Sequence, residues 1–326
     1  MTPMKYELVI QNGQGKVFEV SELTDTVEYS TNRTGSPGKL TFSLLKAGDL
    51  SFNEGNSVRF SVDGQLIFFG YVFTKSKNRW DVIEVTCYDQ LRYLKANESY
   101  AFIGKTAGEI IKQIANQFNL KLGTIDDTGY AIPSLIRENK SCLDTISYAL
   151  ELTTLNTGKI YVFFDDGGKL SLRLAENMMT NTVIGTKSLL TEYDYKTDID
   201  SDTFNQVKLV RPNKKTGKAD TYIFKDSNTI SQWGLLQMYD SVDEEMNEAQ
   251  IVQKAKTMLK YYNRVLRTLS IQSLGVLGIR AGSMVMINVP DLGDISLSKF
   301  VLLDRVTHTF KNDDHVMEIE TRTIQA

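Results

Sequence analysis

The chain contains two stretches of sequence that resemble each other, and this repeat limits the folds open to it more than any other feature. Residues 54–62 align without a gap to residues 281–289. After a linker that is seven residues longer in the second copy, the likeness resumes and continues through both stretches. The matched positions include Gly55 with Gly282, Val58 with Val285, Val62 with Val289, Leu66–Phe69 with Phe300–Leu303, Val72 with Val306, Lys77-Asn78 with Lys311-Asn312 and Val82–Val85 with Val316–Ile319.

This repeat carries more information than ordinary strand alternation. Any two β-meanders share alternating apolar and polar residues, because successive side chains of a strand point to opposite faces. Alternation alone does not reproduce a glycine, a Lys-Asn turn and a glutamate in register. The repeat therefore predicts two copies of one β-barrel-like unit. Three subunits around an axis would then present six similar units, and such an assembly can seat against a six-fold ring.

Between the two copies the sequence pattern changes. Residues 1–98 alternate as strands do, and Asp63-Gly64 has the composition of a hairpin turn. Residues 99–176 predict a small α+β module, in which Thr106 and Glu109 form a T-x-x-E capping box ahead of an apolar stripe at helical spacing. The module separates two strand-rich regions.

The remaining region, residues 177–326, returns to strands. The fold class predicted for the whole chain is mainly β with an α+β insertion: two similar β-barrel-like tube domains, residues 1–98 and 177–326, flank the module of residues 99–176. In the second barrel domain the pattern predicts strands at 204–210 and 221–224, one long helix over about 243–263, and three closing strands near 283–289, 300–310 and 315–324.

Composition narrows the class of protein. Hydrophobic residues make up 41% and charged residues 24%, which is typical of a globular protein. The longest nearly unbroken apolar run, Leu66–Phe73, is far shorter than the roughly 18 residues of a membrane helix. The first residues lack the pattern of a signal peptide, so we expect folding in a bacterial cytoplasm. A net charge of −3 without a basic run does not favour specific nucleic-acid binding.

Candidate chemical sites are few, and each has a simpler structural interpretation. Asp198–Asp202 begins like a calcium-binding loop, but Thr203 stands where that loop needs glycine and Leu209 where it needs glutamate. A turn at a strand entry is the better interpretation. His308 and His315 lie seven residues apart, and we interpret them as ordinary strand surface in preference to a metal pair or a catalytic base.

The two cysteines do not indicate chemistry either. Cys87 alternates with apolar residues, which predicts a position in a core, and Cys142 follows a predicted helix cap. Two cysteines and two histidines so placed predict neither a disulfide framework nor a zinc site. We therefore predict no catalytic residue, no cofactor-binding residue, no metal ligand and no enzymatic activity.

Several segments resemble XkdQ-type proteins of defective-prophage tails, which are relatives of the baseplate hub and late-control D proteins of contractile phages. The likeness extends over nearly the whole chain and rests on many weak matches in the right order. The matching segments are Tyr88–Lys95, Tyr195–Asp202, Phe204–Val210, Trp233–Gln237, Asn247–Gln250, Arg280–Ser283, Pro290–Asp294 and Thr307–Asn312.

The resemblance implies a trimeric hub. Its two barrel domains would form a pseudo-six-fold ring that continues the tail tube, with the spike or tip protein bound beneath. Other implied neighbours are the baseplate wedge proteins and the tape measure protein. The chain would assemble in the host cytoplasm and end in the baseplate of a phage, a prophage particle or a phage-tail-like bacteriocin.

Two other function classes stay open at this point. The first is a tail-associated peptidoglycan hydrolase, which would need an acid pair or a Cys/His site brought together by the fold. The second is a cell-wall-binding module, in which residues 99–176 would act as a LysM-like adhesin. Neither has a motif of its own in this sequence.

Overall fold

A computed structural model of the protein describes residues 4–213, 217–242, 244 and 246–322. Its α-helices are α1 (Ala107–Gln117), α2 (Cys142–Thr157), α3 (Ser227–Trp233) and α4 (Glu248–Tyr262). The strands are β1 (Tyr6–Gln11), β2 (Val17–Glu19), β3 (Thr24–Asn32), β4 (Lys39–Leu45), β5 (Ser57–Val62), β6 (Gln65–Lys77), β7 (Val82–Tyr88), β8 (Asn97–Thr106), β9 (Leu122–Ile125), β10 (Ala131–Ser141), β11 (Tyr161–Asp165), β12 (Leu170–Leu174), β13 (Met179–Gly185), β14 (Leu190–Asp198), β15 (Gln206–Asn213), β16 (Lys218–Lys225), β17 (Gln237–Ser241), β18 (Leu266–Leu274), β19 (Met284–Val289), β20 (Leu297–Leu302), β21 (Arg305–Lys311) and β22 (Asp314–Thr321).

The mainly β fold class is confirmed. The chain divides into two compact units: unit 1 runs to Asp194 and resumes at Ser270–Thr321, and unit 2 is Tyr195–Leu269. The largest sheet has eleven strands in the order β14-β18-β22-β21-β3-β4-β7-β6-β5-β1-β2. The smaller sheets are β10-β8, β11-β12-β9, β13-β19-β20 and β16-β15-β17.

One face of the large sheet forms an apolar core. Strands β3, β4, β6 and β7 alternate, so every second side chain points into that core. Cys87, predicted to be buried, is one of its members, which confirms that prediction. The core also contains Leu8, Ile10, Val27, Tyr29, Leu40, Phe42, Val58, Phe60, Phe68, Val72, Val85 and Phe310.

The α+β module lies within unit 1 and begins as its sequence predicts. The Thr106 side chain accepts a hydrogen bond from the Glu109 amide (3.3 Å), and the Glu109 carboxylate accepts one from the Thr106 amide (2.8 Å). This capping box satisfies two amides that the first turn of α1 leaves open. The apolar faces of α1 and α2 share one core with the inner face of β8 and β10.

The module is docked by glycines in the turn between β11 and β12. A Cβ atom on Gly168 would lie 2.7 Å from the Phe69 ring, and one on Gly167 would lie 2.9 Å from Leu66. Both glycines have positive φ angles. The turn is therefore also a contact with β6, which requires that Gly167 and Gly168 carry no side chain.

Unit 2 contains the sheet β16-β15-β17, and α4 packs on it through Ile251 and Ala255. The helix predicted over about 243–263 instead begins at Glu248, while residues 243 and 245 lie outside the described residues. The later start has a local cause: Asn247 caps the helix, and its side chain accepts a hydrogen bond from the Gln250 amide (2.9 Å). Helix α3, capped by Asp226, is absent from the sequence prediction.

The two copies of the repeat share one distinctive corner. The Gly55 amide donates to the Val72 carbonyl and the Gly282 amide to the Leu303 carbonyl, both at 2.8 Å. In return, the Val72 amide donates to the Asn56 carbonyl (2.9 Å) and the Leu303 amide donates to the Ser283 carbonyl (3.0 Å). Both glycines have positive φ, 82° and 91°, a region that glycine enters without steric cost. The match of Gly55 with Gly282 is confirmed.

The alignment of the middle strand, however, is wrong by three residues. Val58 pairs with Gly70, and Val285 pairs with Val301, so Gly70 corresponds to Val301 and not to Asp304. The three extra residues of the second copy lie in the β21–β22 hairpin, which is longer than the β6–β7 hairpin. The alignment was wrong because it matched the Lys-Asn pairs near the turns of these two hairpins. Because side chains alternate along a strand, an odd shift exchanges the two faces.

The end of the chain also differs from the prediction of three closing strands. The middle one is divided into β20 and β21 at Leu303-Asp304, where the chain leaves β19 and joins β22 and β3. Strand β6 makes the same change of partner, from β5 to β7, without interruption. In each copy, the middle segment of an antiparallel meander therefore pairs first with the strand before it and then with the strand after it.

The predicted division into 1–98, 99–176 and 177–326 follows other boundaries than the two compact units. Strand β21 of the second copy pairs with β3, so the β21–β22 hairpin lies in the same sheet as β5, β6 and β7 of the first copy. Residues 195–269, within the predicted second barrel domain, form a unit of their own. The three-domain division stays a prediction.

Candidate functional site: the polar face of the large sheet

The face of the large sheet opposite the core carries a continuous row of short polar side chains. The residues lie directly opposite one another on five neighbouring strands, β21, β3, β4, β7 and β6. We call them the hydroxyl row: Thr309, Glu28, Thr41, Thr86 and Thr74. Four of the five are threonines, whose branched side chains suit an extended backbone.

A second row lies beside the first on the same face. Its members, again in direct register, are Glu318, Thr307, Ser30, Lys39, Tyr88 and Tyr71. Ser30 is 6% and Thr307 7% exposed, so the middle of this row is buried.

The polar face becomes acidic towards one end of the sheet. Strands β14, β18, β21 and β22 line a groove of about 290 Å³. Its charged residues are four carboxylates and one guanidinium: Glu192, Asp194, Glu318, Glu320 and Arg305. Arg305 lies opposite Glu320 across the strand pair, so the remaining carboxylates give the groove a negative field. A polyanion is repelled by such a groove.

The two histidines that the sequence singled out lie against each other, with His308 buried and His315 half-buried. His308 is 3% exposed, and its Nδ1 lies 2.9 Å from His315 Nε2. The His308 Nε2 atom lies 2.7 Å from the Ile279 carbonyl, so this nitrogen carries the proton and Nδ1 accepts from His315. The prediction of strand surface is wrong for His308, because the three-residue shift of the repeat turns its side chain inward.

Burial controls the protonation of both histidines. The loss of water lowers the pKa of His308 from 6.5 to about 4, although the hydrogen bond to Ile279 opposes the change. Burial, and then the nearby His308, lower the pKa of His315 to about 4 as well. Two imidazoles fall short of the four ligands of a structural zinc site. Among the residues that the structure describes, no three His, Cys, Asp or Glu side chains form a metal-binding group.

The remaining candidates have structural roles. Asp198 accepts hydrogen bonds from the amides of Asp200 (2.7 Å) and Ser201 (3.0 Å) and pairs with Lys196, so a local turn already uses its carboxylate. The salt bridge to Lys196 lowers the pKa of Asp198. Cys142 is fully buried, and burial raises the pKa of its thiol. A buried thiol of this kind is not an activated nucleophile.

Sequence reasoning missed a buried polar junction in unit 1. Asp89 and Asp165 are 3% and 4% exposed, and Asp89 accepts a hydrogen bond from the Gly38 amide (2.8 Å). Arg280 donates to the Asp165 carbonyl oxygen (2.8 Å). Burial raises the pKa of both carboxyl groups, while the guanidinium opposes the rise. The junction joins the ends of β7 and β11 to the corner before β19. No sequence pattern predicted this junction.

Helices long and apolar enough to cross a bilayer are missing from the part of the chain that the structure describes.

Comparison with known proteins agrees with this fold. The YqbQ-like family model matches residues 27–322. YqbQ, an uncharacterised protein of Bacillus subtilis, is 33% identical over 91% of both chains. XkdQ, a protein of the phage-like element PBSX of the same bacterium, is 32% identical over 91% of this chain and 92% of its own. The 43 kDa tail protein of prophage MuSo2 from Shewanella oneidensis shares the fold, with a TM-score of 0.71 at 11% identity and coverage of 97% and 98%. The chain belongs to the YqbQ-like family.

Proposed function

We propose that this protein is a structural hub subunit of a contractile phage-type tail and acts as a homotrimer, without catalysis. Support comes from the relative XkdQ, named for a phage-like element, and from the fold shared with a prophage tail protein. The observation that carries the proposal is the glycine corner, which recurs with the same hydrogen bonds at Gly55 and Gly282. A subunit with two equivalent corners lets three copies imitate six.

The size of the large sheet fits a tube. Eight consecutive strands, β14-β18-β22-β21-β3-β4-β7-β6, run across the polar face. Three copies would supply 24 strands, and a spacing of about 4.8 Å gives a circumference of about 115 Å and a diameter of about 37 Å. Strand tilt would widen this value further. Such a ring leaves room for a nucleic acid or for a helical polypeptide, which is about 10–12 Å wide.

In this ring the polar face would line the lumen. The hydroxyl row offers neither an apolar patch nor an excess of cations, so a passing polymer finds no strong binding site. The acidic groove repels phosphates. The opposite arrangement, with the core face inward, would expose the apolar residues that pack around Phe60 and Phe310.

The proposed neighbours follow from this position. A tail-tube ring would bind one end of the hub and the spike or tip protein the other, with wedge proteins around it and the tape measure protein in the lumen. Assembly would take place in the bacterial cytoplasm before the finished particle leaves the cell. The ring would bury large interfaces between copies, as obligate assemblies do.

The test is to locate the chain in native particles. Particles purified from an induced lysogen should contain the chain at the distal end of the tail tube, in three copies, by cryo-electron microscopy. A location on the sheath, or absence from the particle, would contradict the proposal.

Cysteine labelling tests which face lines the lumen. Thr41→Cys and Thr86→Cys should react with a small maleimide in the particle but not with a maleimide carried on a large polymer. The matched control is Ala101→Cys, an exposed position outside the large sheet. Both native cysteines are fully buried, so background labelling is low. Equal reaction of the large reagent at all three positions would exclude a lumenal polar face.

A further inference from the structure

The turn between β6 and β7 is held rigidly. The Asn78 Oδ1 atom accepts hydrogen bonds from the amides of Trp80 (2.8 Å) and Val82 (3.2 Å). The Asp81 carbonyl accepts a bond from the Lys46 amide (2.9 Å), and the Asp81 carboxylate pairs with Lys77. The turn is therefore ordered before any partner binds, and binding would cost little conformational entropy.

This rigid turn presents an aromatic side chain to solvent. Trp80 is 67% exposed, and among the large apolar residues described by the structure only Ile103 is more exposed. The Arg79 guanidinium stacks on the indole, 4.2 Å from the ring centroid. Tryptophan and arginine are the residues most enriched at energetically dominant positions of protein interfaces. Because Arg79 covers one side of the ring, the indole cannot be stacked on both sides by bases or sugars.

The charge around the turn is positive. Three cations, Lys46, Lys77 and Arg79, lie in or beside the turn together with two carboxylates. The Asp81 carboxylate pairs with Lys77, and the Glu84 carboxylate accepts a hydrogen bond from Ser76 (3.4 Å). The turn is thus an aromatic knob with a basic rim. Electrostatic complementarity predicts a partner pocket that is apolar at its centre and rimmed by carboxylates.

The repeat decides how often the knob occurs. The corresponding hairpin of the second copy, between β21 and β22, turns through Asn312-Asp313, and neither turn residue is aromatic. A ring with two hairpins in each subunit therefore shows the knob three times and not six. A three-fold neighbour offers three equivalent pockets, whereas a six-fold neighbour would leave half of its pockets unfilled.

We propose that the Arg79-Trp80 knob is the docking point for a three-fold partner protein on the spike side of the hub. This inference rests on the proposed hub function. The six-fold tail tube would bind by the surfaces that the two copies share, and the knob would break the pseudo-six-fold symmetry in favour of the trimeric neighbour.

Covalent modification of tryptophan in whole particles tests the proposal. 2-Hydroxy-5-nitrobenzyl bromide is applied to the isolated chain and to purified particles, and peptides with Trp80 or Trp233 are quantified by mass spectrometry. Trp80 should react at least tenfold more slowly in the particle. Protection should disappear in particles assembled without the spike protein and persist in those assembled without the tail tube.

The possible outcomes separate this inference from the proposed function. If the chain is absent from the particles, both fail. If the chain is present but Trp80 reacts as fast as in the isolated chain, or is protected by the tube, by nucleic acid or by a cell-wall glycan, only the knob proposal fails.

A substitution provides the second test. Trp80→Ala should reduce the fraction of particles that carry a spike at least tenfold, with unchanged circular dichroism of the isolated chain. The matched control is Ile103→Ala, which removes an even more exposed apolar side chain elsewhere in unit 1 and should leave spike attachment unchanged. Equal effects of the two substitutions, or normal spike attachment in Trp80→Ala, would overturn the proposal.

Discussion

Mild acid should destabilise unit 1 through its buried histidine pair. His308 is 3% exposed and uses both ring nitrogens as a neutral imidazole, towards Ile279 and His315. A second proton on the ring would remove the acceptor that His315 needs. Burial lowers the pKa of His308 from 6.5 to about 4, so the unfolded chain binds the proton more readily than the folded one.

The magnitude follows from the difference in pKa. The stabilisation is fully present above about pH 6.5 and is lost as the pH falls towards 4, because only the unfolded state takes up protons in that range. For one group the loss amounts to about 2 kcal/mol at pH 5.0 and to roughly 3.4 kcal/mol below pH 4. His315 acts in the same direction, since its pKa is also lowered to about 4.

The assay compares the wild type with His308→Gln, whose neutral amide can replace the hydrogen bonds. Urea unfolding followed by circular dichroism at pH 7.5 and 5.0 should show a wild-type loss that exceeds that of the variant by about 2 kcal/mol. The comparison cancels the titration of the carboxyl groups. Because the chain has only two histidines, NMR of the imidazole protons should also show both midpoints near 4. An equal loss in both proteins, or midpoints near 6.5, would refute the reasoning.

Three further predictions concern other parts of the chain. Gly282→Ala should lower the free energy of unfolding by about 2–4 kcal/mol, because its new Cβ would lie 2.4 Å from Val162. The control Gly293→Ala, also at positive φ but with open space, should lower it by only about 1 kcal/mol. Urea unfolding measures both. Asn247→Ala removes the capping box of α4 and should cost about 1 kcal/mol by the same method. Burial raises the pKa of Asp89, so its stabilisation is present at low pH and is lost as the pH rises above 4; Asp89→Asn should weaken that dependence in thermal melts at pH 4.5 and 7.

Local signals in the sequence were sufficient for the elements that depend on neighbouring residues. The capping box at Thr106 and the turn at Asp63-Gly64 are confirmed, the latter with positive φ at both residues. The helix predicted from residue 243 begins at Glu248, because the cap of a helix is decided by a single side chain, here Asn247. An apolar stripe does not contain that information.

Long-range features could not be read from the sequence in the same way. The repeat was recognised from Gly55 and Gly282, since a backbone corner needs glycine in both copies. Its register was not, because the Lys-Asn pairs near the two turns align with each other although the β21–β22 hairpin is longer than the β6–β7 hairpin. The same shift caused the wrong prediction that His308 lies on the strand surface. The hydroxyl row and the Asp89–Asp165 junction depend on strand pairings that a single chain does not disclose.

The place where unit 2 leaves and rejoins unit 1 has a consequence for how such chains can diversify. Unit 2 departs after Asp194 and returns at Ser270, and both residues line the same groove on the neighbouring strands β14 and β18. An insertion with adjacent ends disturbs its host little, whatever its length. A change in the length of the segment between β14 and β18 should therefore leave the pairing of these two strands in place.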